Sequence, residues 1–172
     1  MAKKTKKSQD SARLLVSVDS CFLVALSNGD DKWHAAAERW AKFLAENNGV
    51  IFVSAIALSE FAVNGDISEL LMTGLFTPIL FDTTDARITG ECFSKWKKTA
   101  GKFANDATAA KNDIKIVANS IKVKATHVLT TDGDIPNICK KLHLQLKVID
   151  FRSEPCDSLT SKDGQTSFKN FP

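Results

Sequence analysis

A chain of 172 residues, 44% of them hydrophobic, has enough apolar side chain for one buried core and too little length for two full domains. Its formal charge of +3, with 23 basic against 20 acidic residues, permits contact with nucleic acid without demanding it. The four cysteines stand at no CxxC spacing and no apolar run approaches the ~18 residues of a membrane span, which argues against a disulfide scaffold, a zinc site and a membrane protein.

Residues 1–13 make a basic arm. Lys3, Lys4, Lys6 and Lys7 precede a polar stretch that cannot bury itself, which predicts disorder and either a solubilising or a phosphate-contacting role. The arm is no apolar leader, so a soluble protein of the reducing cytoplasm is expected. A run rich in β-formers at 14–18 predicts the first strand, ending at Asp19-Ser20 where a helical pattern begins. From Asp30 onward, Trp33, Ala37, Trp40 and Leu44 fall on one stripe of an amphipathic helix that stops at the Asn-Asn-Gly of 47–49. Tryptophans at that spacing read as core rather than as platforms for bases.

Residues 50–53 form the second strand, Ser54 caps a helix over 55–63, and a short helix covers 67–72. Pro78 opens a third strand through Phe81, a place that suits a sheet edge. A long helix at 84–100 then carries Ile88, Cys92 and Trp96. Asn105-Asp106 begins a helix running to about Lys124, with Ile114, Val117 and Ile121 inward. Residues 127–131 are the fourth strand, Asp134 caps a helix with Pro136 in its first turn, and 146–149 are the fifth strand. The folded domain is therefore set at 14–151, followed by a polar C-terminal extension at 152–172.

Strands and helices in alternation, with apolar rather than alternating strands, predict a three-layer α/β/α fold around a parallel sheet of order 3-2-1-4-5. Four strands are followed by an aspartate: Asp19, Asp82, Asp132 and Asp150. The winding reverses between strands one and four, so Asp19 and Asp132 become neighbours there while Asp82 and Asp150 fall to the edges. Two further acids, Glu60 and Asp113, sit on inward helix stripes, Glu60 one turn from Ile56 and Val63, Asp113 one turn from Ile116 and Val117.

Taken singly, each acid has another explanation: Asp19 as a helix N-cap, Asp132 in a Thr-Asp-Gly-Asp turn, Glu60 or Asp113 in a salt bridge. Together, without histidine or cysteine, they suggest a hard-oxygen site suited to Mg²⁺ or Mn²⁺ and to phosphodiester hydrolysis. There is no nucleophile elbow, Gly-rich phosphate loop or GxGxxG.

The strings Val18-Asp19-Ser20, Ser59-Glu60-Phe61, Asp113-Ile114-Lys115-Ile116-Val117-Ala118 and Leu129-Thr130-Thr131-Asp132-Gly133-Asp134 resemble, in order and spacing, the four acidic motifs of PIN-domain ribonucleases. The resemblance covers roughly residues 14 to 150. It implies a metal-dependent endoribonuclease acting on RNA, commonly the VapC-like toxin of a toxin–antitoxin pair, with a cognate antitoxin and a homodimer as expected partners. By motif, Asp19, Glu60, Asp113 and Asp132 would be the catalytic metal ligands, Asp134 a fifth acid, and Ser20 and Thr130 polar support. Asn64 and Asn112 are neighbouring polar residues without an assigned role. Lys95, Lys97, Lys98, Lys102, Lys111 or Lys115 would grip substrate, unless they form only a solvated helix face.

Two other readings stand beside this one. A non-catalytic PIN-fold module would bind nucleic acid or protein without cutting. A phosphoacceptor receiver domain would need acids before Asp19, where Ser17 and Val18 stand, and a lysine after the fifth strand, where Asp150-Phe151-Arg152 stands; only Asp82 favours it.

Overall fold

Five apolar runs become five short strands: β1 (Leu15–Val18), β2 (Val50–Ser54), β3 (Phe76–Ile79), β4 (His127–Thr130) and β5 (Lys147–Asp150). They pair in parallel in the order β3-β2-β1-β4-β5 in the computed structural model, which describes residues 13–100, 109–156 and 159. The expected sheet is thus the observed one. The central strands are covered on both faces: Val16, Val18, Val128 and Leu129 have no exposed surface.

Among the described residues seven helices connect the strands: α1 (Ser20–Ser27), α2 (His34–Glu46), α3 (Ala55–Phe61), α4 (Ile67–Met72), α5 (Thr83–Ala100), α6 (Ala109–Lys122) and α7 (Asp134–Lys141). The first two pack on each other, as do α5, α6 and α7; the right-handed crossover rule assigns these two groups to opposite faces of a sheet of this order. Trp40, Ala37 and Leu44 of α2 are wholly buried, as their spacing requires. Among the described residues no helix is long and apolar enough to cross a membrane. Among the described residues no disulfide joins Cys21, Cys92, Cys139 or Cys156.

Several boundaries differ from the sequence reading. The third strand starts at Phe76 and ends at Ile79, so Pro78 lies inside it, opposite Val53. An edge strand tolerates this because a proline without an N–H leaves no neighbour unsatisfied on the open side. Helix α3 stops at Phe61, and Val63 beyond it is 75% exposed. The Gly65 N–H bonds the Phe61 carbonyl, and the chain crosses the Phe61 ring so closely that a Cβ at Gly65 would lie 2.2 Å from it. In α7 the N-cap is Gly133 rather than Asp134, because the Asp132 carboxylate accepts the Asp134 N–H at 2.7 Å and forms the turn itself.

The body continues past β5. Phe151 is fully buried and meets Phe22 edge-on at 5.1 Å, and Cys156 and Leu159 are also buried. Residues 1–12, the start of the helix read at Asn105-Asp106, Lys102, and the extension from 160 on lie outside the described residues.

The α5–α6 pair is locked by a carboxylate with no exposed surface. Asp82 and Asp85 form a reciprocal capping box: Asp82 accepts the N–H groups of Thr84 (2.8 Å) and Asp85 (3.2 Å), and Asp85 accepts the Asp82 N–H at 2.8 Å. Lys122 at the end of α6 donates to Asp85 (2.6 Å) and Asp82 (2.8 Å), while the Asn119 amide donates to the other Asp85 oxygen. Lys122 accordingly holds the Asp82 carboxyl down at about 2. Lys122→Met strands the buried Asp85 charge and is expected to cost on the order of 2–4 kcal/mol, part of it recovered in Lys122→Met/Asp85→Asn. Chemical denaturation of the single and double variants checks this; a single variant as stable as wild type would remove Lys122 from the lock.

Candidate active site

Parallel pairing of Val18 with Leu129 brings the carboxyl ends of β1 and β4 together where the winding reverses. The Asp19 N–H continues the ladder to the Leu129 carbonyl at 3.2 Å, and Asp19 then caps α1. Capping and site roles coexist in this residue. One carboxylate oxygen accepts the Ser20 N–H at 2.6 Å; the other accepts the Thr130 hydroxyl at 2.8 Å. The same Thr130 hydroxyl receives the Asp132 N–H at 2.9 Å, fixing the turn that carries Asp132 and Asp134 to the rim.

The two helix acids approach from either side. Glu60 of α3 accepts the Ser20 hydroxyl at 2.8 Å and the Asn112 amide at 3.0 Å. Asp113 of α6 is half-buried, and no hydrogen bond or ion pair reaches its side chain among the described residues. Asp19, Glu60, Asp113, Asp132 and Asp134 line one cleft of about 340 Å³ together with Ser20, Cys21, Asn112 and Thr131. All five expected acids are therefore brought to one place. Asp82 and Asp150 stay outside it, Asp82 in the capping box and Asp150 in a two-point bond with Arg152 (2.8 and 2.6 Å).

The cleft's electrostatics differ from those of the α5–α6 lock. None of its five acids has a lysine, arginine or histidine ion-pair partner among the described residues. Desolvation first, and then the charges of Asp132, Asp19, Asp134 and Glu60, push the Asp113 carboxyl up to about 7. Cys21 packs two residues into α1, donating to Asp19 at 3.3 Å and accepting the Thr131 N–H at 3.2 Å. Burial and the Asp19 charge raise its thiol to about 11, so it is a neutral donor.

Such a donor set of carboxylates and hydroxyls suits a hard divalent cation. As they stand, no three acidic, His or Cys side chains among the described residues are gathered closely enough to ligate one ion. A cation would have to draw them inward. The fit lies in the chemistry of the donors and in their unneutralised charge, not in a finished cage.

Sequence reasoning passed over Cys21 and left Asn112 without a role. The first could have been found from its place in the first turn after a capping aspartate, whose oxygens face it. For Asn112 the signal was adjacency to Asp113 on a helix packed against α3, the element bearing Glu60.

No family model and no curated protein sequence matches the chain. Solved structures do. VapC20 of Mycobacterium tuberculosis, described as a sarcin–ricin-loop-cleaving toxin, superposes with a TM-score of 0.51 at 17% identity, over 71% of this chain and 93% of its own. A chain of the VapBC2 complex of Rickettsia felis, solved with a DNA fragment from its promoter, gives 0.55 at 18% identity, over 80% and 100%. At these identities the shared property is the fold: this chain has the PIN-like α/β/α fold of VapC structures, as its motifs suggested.

The weakened acidity of Asp113 makes stability in metal-free buffer depend on pH. Between about pH 4 and 7 the folded chain keeps a proton that the unfolded chain, near its ordinary 3.8, has released, so stability falls as pH rises through that window. Asp113→Asn is expected to flatten this slope and to stabilise the protein above pH 7 by on the order of 1–2 kcal/mol, allowing for partial solvent screening. Denaturation across that pH range checks it; an unchanged slope would mean that Asp113 is not the group concerned.

Proposed function

We propose that this protein is a divalent-metal-dependent endoribonuclease that hydrolyses RNA phosphodiester bonds in the acidic cleft and serves as the toxin of a toxin–antitoxin pair. The observation that carries the reading is the set of five carboxylates at the winding reversal with hydrogen-bond donors around them and no cationic partner among the described residues. The likeness in fold to a toxin described as cleaving the sarcin–ricin loop, and to a chain of a VapBC complex, supports the biological half, with a cognate antitoxin as partner and the cytoplasm as location.

Asp19, Glu60, Asp113 and Asp132 would hold Mg²⁺ or Mn²⁺, with Asp134 as a fifth acid. When bound, the cation supplies charge stabilisation at phosphate oxygens and acidifies water. The chain's own residues orient the site. Thr130 aims one oxygen of Asp19, and Ser20 and Asn112 hold the two oxygens of Glu60 from opposite sides. Asp113 keeps a proton near neutral pH while the cleft is unneutralised and gives it up when a positive charge enters.

The receiver-domain reading finds no support, since Asp82, its needed acceptor, is bound up with Lys122 and the start of α5. Labelled RNA incubated with Mg²⁺ or Mn²⁺ is expected to be cut by wild type and spared in EDTA or with Asp19→Asn, and Thr130→Val is expected to lower the rate by on the order of 10- to 100-fold. Cleavage that survives EDTA or Asp19→Asn would refute the metal–carboxylate mechanism. No cleavage under any condition would favour a PIN-fold binding module. Induced expression in a bacterium is expected to arrest growth with wild type but not with Asp19→Asn; equal growth would remove the toxin role.

A further inference from the structure

Beside the acidic cleft lies a surface of opposite character. Phe93 of α5 is partly buried against the core and stacks on buried Trp96, ring centroids 5.8 Å apart at 16°. Lys97 sits over the Phe93 ring at 4.8 Å and Lys111 of α6 at 6.0 Å, while Lys141 at the end of α7 lies over Trp96 at 5.8 Å. Lys115, one turn along from Lys111, donates to Asn112 at 3.2 Å, and Asn112 is the residue that holds Glu60. None of these four lysines has a carboxylate partner among the described residues. The arrangement meets the site at Asn112, which accepts from Lys115 and donates to Glu60.

We infer that this face holds the single-stranded RNA that enters the cleft, Lys97, Lys111 and Lys115 contacting its phosphates and Phe93 stacking against a base. The inference rests on the nuclease reading above and deepens it by assigning the surface that grips the strand. Two observations point to a nucleic-acid strand rather than an acidic protein. Lysines without acid partners suit a polyanion, and an aromatic ring set among them suits bases, whose flat faces a carboxylate-rich peptide does not offer. Flexible lysine stems let the ammonium groups leave the ring for phosphate oxygens. A cleft bounded by five acids repels RNA, so affinity has to come from a neighbouring surface.

The test measures binding and cleavage separately. A fluorescent single-stranded RNA is titrated with the full chain in EDTA over a range of salt, and hydrolysis of bis(4-nitrophenyl) phosphate, a diester too small to reach α5, is followed with Mn²⁺. Lys97→Gln/Lys111→Gln is expected to weaken RNA binding and to lower the salt slope by about 1.4, two phosphate contacts on a single strand. Phe93→Leu, which keeps the packing against Trp96, is expected to weaken binding on the order of 10-fold with the slope unchanged. Lys42→Gln on α2 controls for charge alone and should bind as wild type. Hydrolysis of the small diester should be equal in all of them.

RNA bound equally by wild type, Lys97→Gln/Lys111→Gln and Phe93→Leu would overturn the inference. So would a loss confined to the lysine variant with polyglutamate competing as well as RNA at equal charge, which would assign the face to an acidic protein. If wild type hydrolyses neither RNA nor the diester while the variants still lose RNA binding as described, the nuclease reading fails and the binding surface stands.

Discussion

The Thr130 hydroxyl accepts the Asp132 N–H and donates to Asp19, and through that one group the two strands at the winding reversal deliver their acids to the same edge. It is buried, so its two bonds are not exchanged for water. Glu60 joins through Ser20, the residue after Asp19. Among the described residues no hydrogen bond reaches the side chain of Asp113, and it absorbs the electrostatic cost of the others as a raised affinity for a proton.

The same chain treats buried carboxylates in two ways. At the start of α5, Asp85 is enclosed by Lys122, Asn119 and a backbone N–H, as a structural charge must be when it has no exposed surface. In the cleft, hydroxyls, an amide and backbone N–H groups orient the acids but leave their charge unneutralised. On the proposed function, stability is given up there for a capacity to attract a cation. On the inference drawn above, the basic face on α5, α6 and α7 complements it, since a polyanionic strand needs positive charge close to a site that is itself negative.

Much of this was legible in the sequence. The alternation of five apolar runs with helices implied the strand order, and the order alone made neighbours of Asp19 and Asp132. The inward positions of Glu60 and Asp113 marked them as acids in need of a purpose. What was hidden depended on tertiary contacts. Pro78 suggested a strand beginning, whereas an open edge let it sit mid-strand. Asp85, in the first turn of the long helix, carries no sign of its role in the sequence because its partner Lys122 is remote along the chain. Cys21 and Asn112 carry no motif of their own and gain meaning only from the oxygens they face. Trp96, placed on the long helix with Ile88 and Cys92, is core, yet the ring stacked on it, Phe93, faces Lys97 and Lys111, which only the packing of α5 on α6 brings together.

If the five acids share one electrostatic field that a cation can satisfy, binding must expel the proton on Asp113. Calorimetric titration of Mn²⁺ into the protein at about pH 6, in two buffers of different ionisation enthalpy, counts the protons released. Wild type should release close to one per bound ion, and Asp113→Asn none. Absence of binding at millimolar Mn²⁺, or equal release by both proteins, would contradict a shared cation site in this cleft.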